Sequence, residues 1–284
     1  MKRTSSAVRA VSSFPHNPAV VLGPIVAFAR RDGAITLSYR MPFVLDLVYG
    51  VMNLAVFFFI SRTFEGSTTA DLGPAPSYFA FAAVGLAVGL VVESAADAVG
   101  YKVRDEQVAG TFEALAAQPL TSLQLCLGLT GFPFLFALVR AVSYLLIAGA
   151  WLGVDVSQTS WVGIFTILVL SGGSIVALGI LSGAVVLVFK RGHVIAATAL
   201  FAMTMLSGSV FPISALPAWL EIVGRILPLR FAFDGARAAI FAGSGWGDDA
   251  LVLALFTVAG VPAATWIFAL ALSVARRRGS IGQY

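Results

Sequence analysis

Long apolar runs, separated by short polar segments, set the pattern of this chain. A transmembrane helix needs about 20 predominantly apolar residues, and six segments reach or approach that length. They are residues 41–60, 77–99, 123–152, 161–189, 194–211 and 250–275. None of them alternates apolar and polar residues as the strands of a membrane barrel do. The pattern therefore predicts an all-α integral membrane protein, with six transmembrane helices in one domain over residues 41–275.

The composition supports the same fold class. Hydrophobic residues make up 59% of the chain, charged residues make up 11%, and the mean hydropathy is +0.93. Soluble domains carry about 25% charged residues, so this chain has too few charges to cover a soluble surface. The single cysteine, Cys126, excludes an intrachain disulfide and a thiolate metal cluster.

The segment before the first apolar run differs from the spans. Residues 23–40 are too charged to cross a membrane, yet four apolar residues share one helical face. These are Ile25, Phe28, Ile35 and Tyr39. We expect an interfacial helix on the cytoplasmic surface, preceded by a cytoplasmic tail over residues 1–22 with no cleaved signal peptide.

Lysine and arginine residues fix the expected orientation. Short loops rich in these residues stay in the cytoplasm, and the basic residues fall mainly in the N-terminal segment, the loops near Lys102 and Lys190, and the tail over residues 276–284. Both termini should therefore be cytoplasmic. We attribute the net charge of +4 to this asymmetry, with membrane lipid rather than nucleic acid as the partner. We expect a multi-pass protein of a bacterial or archaeal plasma membrane.

The residues needed for catalysis are scarce. The only histidines, His16 and His193, form no zinc-binding motif, and neither stands beside a serine nucleophile. Ser171 and Ser174 fit small-residue helix packing better than catalysis. No lysine follows a glycine as a phosphate-binding loop requires. We therefore expect no catalytic residue, metal or cofactor on this chain, and an outside source of energy for any driven process.

Four charged residues lie within or close to the predicted spans: Asp46, Glu93, Asp97 and Arg140. Charges in hydrocarbon are costly and often functional. Their positions near the ends of the spans favour snorkelling or pairing between helices, with a functional role as the alternative.

A polar island over residues 104–122 interrupts the apolar pattern between spans two and three. Residues 103–117 are compatible with one helix, and Pro119 would end it. Asp105, Glu106 and Glu113 would form its acidic side. Three apolar residues could insert into a partner: Val108, Phe112 and Leu115. A helix that docks a cytoplasmic partner explains these residues better than an ordinary surface loop.

A second unusual segment covers residues 212–240. Pro212, Pro217 and Pro228 break it into pieces, residues 218–227 and 229–240, that are too short to span. We interpret them as re-entrant helices on the outer side, with Trp219 at the interface. An interfacial extracellular loop remains the alternative.

Both unusual segments resemble the type-2 family of ABC transporter permeases, which are exporter membrane subunits for daunorubicin-type drugs, nodulation factors and cell-surface glycans. In the first segment the matching residues are Glu106, Gly110, Thr111, Phe112, Glu113, Leu115 and Pro119. In the second they are residues 207–212, 216–220, 228–229 and 234–237. Gln107, Gln118 and Arg230 depart from the family pattern.

The resemblance implies two permease copies, as a homodimer or paired half-transporter, that bind two separate ATPase subunits carrying ATP and Mg²⁺. It implies a coupling helix over residues 103–117, beside a connecting helix over residues 23–40. The expected ATPase-coupling residues are Asp105, Glu106, Gly110, Thr111, Phe112, Glu113 and Leu115. An outer gate would include Phe211, Pro212, Pro217, Trp219 and Pro228.

The leading hypothesis is therefore the permease subunit of an exporter for a hydrophobic or amphipathic molecule. One alternative is export of a polysaccharide or glycolipid by the same machinery. Two others come from different classes: an intramembrane hydrolase or lipid-modifying enzyme, and a membrane anchor that recruits an ATPase without transport.

Overall fold

The computed structural model describes residues 18–38, 40–63, 71–118, 120–188 and 192–278, and every regular element in those ranges is helical. The helices are α1 (Pro18–Ser38), α2 (Arg40–Thr63), α3 (Tyr78–Val108), α4 (Phe112–Ala117), α5 (Ser122–Leu152), α6 (Trp161–Val188), α7 (Gly192–Leu206), α8 (Ala218–Ile226), α9 (Pro228–Arg237) and α10 (Gly247–Arg278). A 3₁₀ turn, Ile213–Ala215, precedes α8, and a π turn, Ala238–Ala242, continues α9. The all-α prediction is confirmed.

Four of the predicted spans coincide with helices that are long and apolar enough to cross a membrane. The apolar stretches are Tyr78–Ala96, Ser122–Leu152, Trp161–Val185 and Gly247–Val274. The other two predicted spans fall on α2 and α7, whose apolar stretches within the described ranges are shorter, Leu47–Thr63 and Ala197–Leu206. Helix α7 ends before the predicted limit of residue 211, because Gly208 turns the chain with a φ of +85°.

Helices α3 and α6 form the centre of the protein. The apolar side chains of α3 between Val84 and Ala95 that face inward are completely buried. Gly179 brings α6 against α3 so closely that a Cβ there would lie 2.6 Å from the carbonyl oxygen of Ala95. Helix α10 packs along α6, where Gly173 faces Thr257. Small residues thus let backbones approach where lipid provides no hydrophobic driving force.

Local signals in the sequence start and end these long helices. The Ser77 hydroxyl accepts the N–H of Ala80 at the start of α3. Thr121 and Gln124 form a capping box at the start of α5, each side chain accepting the other residue's N–H. Gly153, with a φ of +75°, ends α5.

Helix α1 lies against the first half of α5. The Phe28 ring occupies the space above Gly128, where a Cβ would lie 2.5 Å from a ring carbon. On the predicted apolar face of α1, Phe28 is buried, Ile35 is 53% exposed, and Asp32, which interrupts the face, is buried; Tyr39 lies outside the described residues. Asp32 can be buried because it has cationic partners within the protein.

Candidate functional site

The predicted coupling helix over residues 103–117 is two helices rather than one. Helix α3 continues to Val108, and α4 begins only at Phe112. Between them Gly110 has a φ of +72°, a left-handed conformation that glycine adopts without steric cost. The single-helix prediction is therefore wrong, because the glycine ends α3 and redirects the chain. We call residues 105–111 the α3–α4 turn.

Glu106 and Thr111 hold the α3–α4 turn closed. The backbone N–H of Thr111 donates to the carbonyl oxygen of Glu106 over 2.9 Å, and the Thr111 hydroxyl donates to the Glu106 carboxylate. The five-residue spacing between the two residues lets both bonds form across Gly110. Glu106 and Thr111 therefore bind each other within the chain.

Four charged side chains connect this turn to α1, and we call them the α1–α3 ion network. Arg31 Nη1 lies 2.9 Å from Glu106 Oε1, and Arg31 Nε lies 3.1 Å from Asp32 Oδ1. Lys102 Nζ lies 3.1 Å from Asp32 Oδ2. The Asp32 side chain is only 3% exposed, and a buried carboxylate of this kind needs its cationic partners. The network thus fastens α1 to the end of α3.

The structure distributes the predicted coupling residues over different environments. Asp105, Gly110 and Thr111 are exposed, whereas Glu106 is bound by Arg31. Leu115 is partly buried against the core. The side chains of Phe112 and Glu113 lie outside the described part of the structure. Val108, an apolar residue of the α3–α4 turn, is 70% exposed.

Sequence reasoning missed the partners of Asp32. The available signal was its position one helical turn after Phe28, inside an apolar face. A charge at such a position requires an ion pair, and Lys102 was already placed on the same side of the membrane by its charge.

Residues 207–242, which we call the outer segment after the side of the membrane expected from the sequence, contain the two predicted short pieces. Helices α8 and α9 match residues 218–227 and 229–240 within a few residues. Pro212 is buried, Pro217 precedes α8 and Pro228 is the first residue of α9, so the prolines divide the segment as predicted. Phe211 is partly buried.

Helix α8 carries an exposed apolar face. Its four residues recur at helical spacing and are 42–70% exposed: Trp219, Ile222, Val223 and Ile226. The opposite side carries the Glu221–Arg225 ion pair. An exposed apolar face opposite a polar one is typical of a helix at a membrane interface.

Arg237, at the end of α9, occupies the interior of the outer segment and is 2% exposed. Its Nη2 donates to the carbonyl oxygens of Gly208 and Ser209, over 2.8 Å each. Nη2 and Nε also lie 3.3 Å and 3.4 Å from the carbonyl oxygen of Phe81 in α3. The guanidinium stacks on the Phe81 ring, 3.4 Å from its centroid. We call these residues the Arg237 cluster.

The predicted intramembrane charges do not share one environment. Glu93 is exposed on α3 and Arg140 is partly buried on α5, while the side chains of Asp46 and Asp97 lie outside the described part. Ser171 and Ser174 are buried, and their hydroxyls donate to the α6 carbonyls of Leu168 and Ser171 over 2.9 and 2.8 Å. Within the described ranges, no group of three histidine, cysteine, aspartate or glutamate side chains is placed to hold a metal ion.

One comparison with known proteins finds a match. The protein-family model described as ABC-2 type transporter matches residues 25–241, well over half of the chain. The matched range contains the α1–α3 ion network, the α3–α4 turn and almost all of the outer segment. No curated protein sequence gives a significant match to this chain.

The ion network predicts a charge-dependent stability. Asp32→Lys and Lys102→Asp should each lower the free energy of unfolding by about 2 kcal/mol, because each leaves charges unpaired. The double variant should recover part of that loss, since it restores opposite charges. Thermal unfolding of the detergent-purified protein measures this. Arg30→Gln, at an exposed neighbouring position, is the control, and equal losses in it and in the single variants would contradict the pairing.

Proposed function

Because the chain belongs to the ABC-2 type transporter family, whose members are membrane subunits that pair with an ABC ATPase, we propose that it exports a hydrophobic or amphipathic molecule. Two copies of a separate ATPase subunit, which bind ATP and Mg²⁺, supply the energy. The chain itself is not an enzyme. The observation that carries this proposal is the α3–α4 turn, an exposed turn that the α1–α3 ion network fastens to two helices.

The ATPase binds the α3–α4 turn in this proposal. Asp105 and Val108 stand at its exposed surface and offer one charged and one apolar contact, while Glu113 adds an acidic residue on α4. Glu106 instead passes movement of the turn to Arg31 and α1. Gly110 sets the direction of α4, and the ATPase therefore moves α1 and α3 together.

The assembly is a homodimer of six-span subunits with both termini in the cytoplasm. Most of the large apolar side chains of α10 face outward, which supports contacts of this helix with lipid or with another subunit. Lipid and the second permease copy cover these surfaces. Helices α8 and α9 re-enter the outer leaflet and form the outer gate, in which Trp219 lies at the interface.

A groove between α5, α6 and α10 supports the substrate class. Its volume is about 480 Å³, and apolar side chains such as Phe134, Val258 and Val261 line it. The Thr130 hydroxyl donates to the carbonyl oxygen of Cys126, and that of Thr257 donates to Leu253. Both hydroxyl hydrogens are used within the helices and the other lining residues are apolar, so the groove offers few hydrogen bonds to a sugar and favours an apolar occupant.

Charge reversal on the α3–α4 turn and on α4 tests ATPase binding. Asp105→Arg and Glu113→Arg should each weaken binding of the partner ABC ATPase about tenfold, which is about 1.4 kcal/mol. Co-purification from membranes and titration of the labelled ATPase measure it. Asp71→Arg, an exposed residue before α3, is the control. Unchanged binding in both Asp105→Arg and Glu113→Arg would show that the ATPase docks elsewhere.

Stimulation of ATP hydrolysis tests the substrate class. In lipid nanodiscs, a hydrophobic aromatic dye should raise the ATPase rate of the complex, and Val258→Trp should reduce that rise by filling the groove. Leu255→Trp, on an exposed part of α10 outside the groove, should not. A rise with a glycolipid but with no hydrophobic compound would instead support glycan or glycolipid export.

A further inference from the structure

Three separate parts of the chain meet at the Arg237 side chain. Arg237 belongs to α9, Gly208 and Ser209 belong to the turn after α7, and Phe81 belongs to the first turns of α3. Phe81 is 156 residues away from Arg237 in the sequence. One guanidinium thus links the outer segment to α3 through hydrogen bonds.

The charge of Arg237 is bound mainly by backbone carbonyl oxygens. Its nearest carboxylate is that of Asp234, whose Oδ1 lies 3.6 Å from Nη1 and which also pairs with Arg230 at 3.1 Å. Asp234 is partly exposed, with a side-chain exposure of 45%. A planar guanidinium can reach several carbonyls at once, whereas the single ammonium of lysine cannot reproduce that geometry.

The backbone around Arg237 fits this contact closely. A Cβ at Gly85 in α3 would lie 1.7 Å from the Ser209 carbonyl oxygen and 3.1 Å from Arg237 Nη2. The hydroxyls of Ser207 and Ser209 are buried without a hydrogen-bond partner in the described structure. The carbonyl oxygens of the turn therefore bind Arg237, and the lack of a side chain at Gly85 lets the turn lie close to α3.

Helix α3 connects this cluster with the other side of the protein. It runs unbroken from Tyr78 to Val108, a length of about 46 Å at 1.5 Å per residue. Phe81 near its first end contacts Arg237, and Lys102 and Glu106 near its last end belong to the α1–α3 ion network.

We propose that Arg237 is the positioning residue that fastens the outer segment to α3, so that α3 transmits movement of the α3–α4 turn to the outer segment. The transmission rests on the proposed function, because an ATPase has to move the turn. The fastening itself is a property of the chain alone. Residues 207–217 therefore move with α3 and do not open independently.

Hydrogen–deuterium exchange of residues 207–217 tests the fastening in the purified permease in nanodiscs. Arg237→Gln should speed backbone exchange there, because the carbonyl contacts that hold the turn against α3 are lost, and Arg237→Lys should have a smaller effect. Arg230→Gln is the matched control on the same helix, since Arg230 pairs with Asp234 without contacting α3 in any described hydrogen bond. Wild-type exchange in Arg237→Gln, or equal acceleration in Arg230→Gln, overturns the proposal.

A pair of alanine substitutions provides the same test without removing a charge. Gly85→Ala should displace the turn and speed its exchange, because the new Cβ meets the Ser209 carbonyl. Gly89→Ala, one helical turn away with no heavy atom within 4 Å of its Cβ, should leave exchange unchanged. Equal exchange in the two variants contradicts the close contact. If Arg237→Gln does not fold, this pair tests the packing of the turn on α3, and Arg237→Lys tests the side chain itself.

The transmission is tested in the complex with the ATPase. Two states are compared: one without nucleotide and one trapped with ATP and vanadate. Trapping should change the distance between spin labels at Ser214 and at Leu255 on α10, both exposed positions, in the wild type and in Arg230→Gln, because residues 207–217 shift with α3. Arg237→Gln should lose that response while it still binds the ATPase and hydrolyses ATP. A retained response overturns transmission through Arg237. If the wild-type chain does not bind the ATPase, the proposed function is wrong. Hydrogen–deuterium exchange of the permease alone would still test whether Arg237 fastens the outer segment to α3.

Discussion

A buried charge needs partners, and the two most buried charged side chains among the described residues both find them on α3. Asp32 on α1 binds Lys102, and Arg237 on α9 binds the Phe81 carbonyl. Both contacts lie close to an end of the helix. Because an unpaired charge inside a membrane protein is costly, each contact constrains how α1 and the outer segment sit against α3. Helix α3 is thereby fixed at both ends.

Small residues make this central position of α3 possible. Gly179 lets the backbone of α6 approach the carbonyls of Ala95 and Ala96, and Gly85 lets the turn after α7 approach near the other end. A larger side chain at either glycine would separate the backbones, and at Gly85 it would also disturb the hydrogen bonds of Arg237. The polar contacts of the protein thus depend on its tight apolar packing.

The length of the apolar runs could be read from the sequence, because a membrane requires a minimum number of apolar residues per helix. The prolines also predicted the division of the outer segment into α8 and α9. The break of the coupling helix at Gly110 was missed, since a glycine within a helical pattern is tolerated in some helices and ends others. The end of α7 was misplaced for a similar reason at Gly208.

Side-chain partners were harder to predict than helices. The ion pair of Asp32 joins residues 70 positions apart, and no periodic pattern identifies a cation at that separation. The carbonyl partners of Arg237 have no sequence signal at all, because every residue carries a carbonyl group. Glu106 matched a family motif, yet its side chain binds Arg31 and Thr111 of the same chain. Asp105, by contrast, is exposed at the surface.

The sharpest test is a cryo-EM structure of the permease with its ATPase, in a nucleotide-free and an ATP-bound state. We expect the ATPase to cover Asp105 and Val108 on the α3–α4 turn, Lys102 to stay paired with Asp32, and residues 207–217 to keep their position relative to α3 in both states. An ATPase bound away from this turn, or an outer segment that separates from a stationary α3, would contradict this coupling.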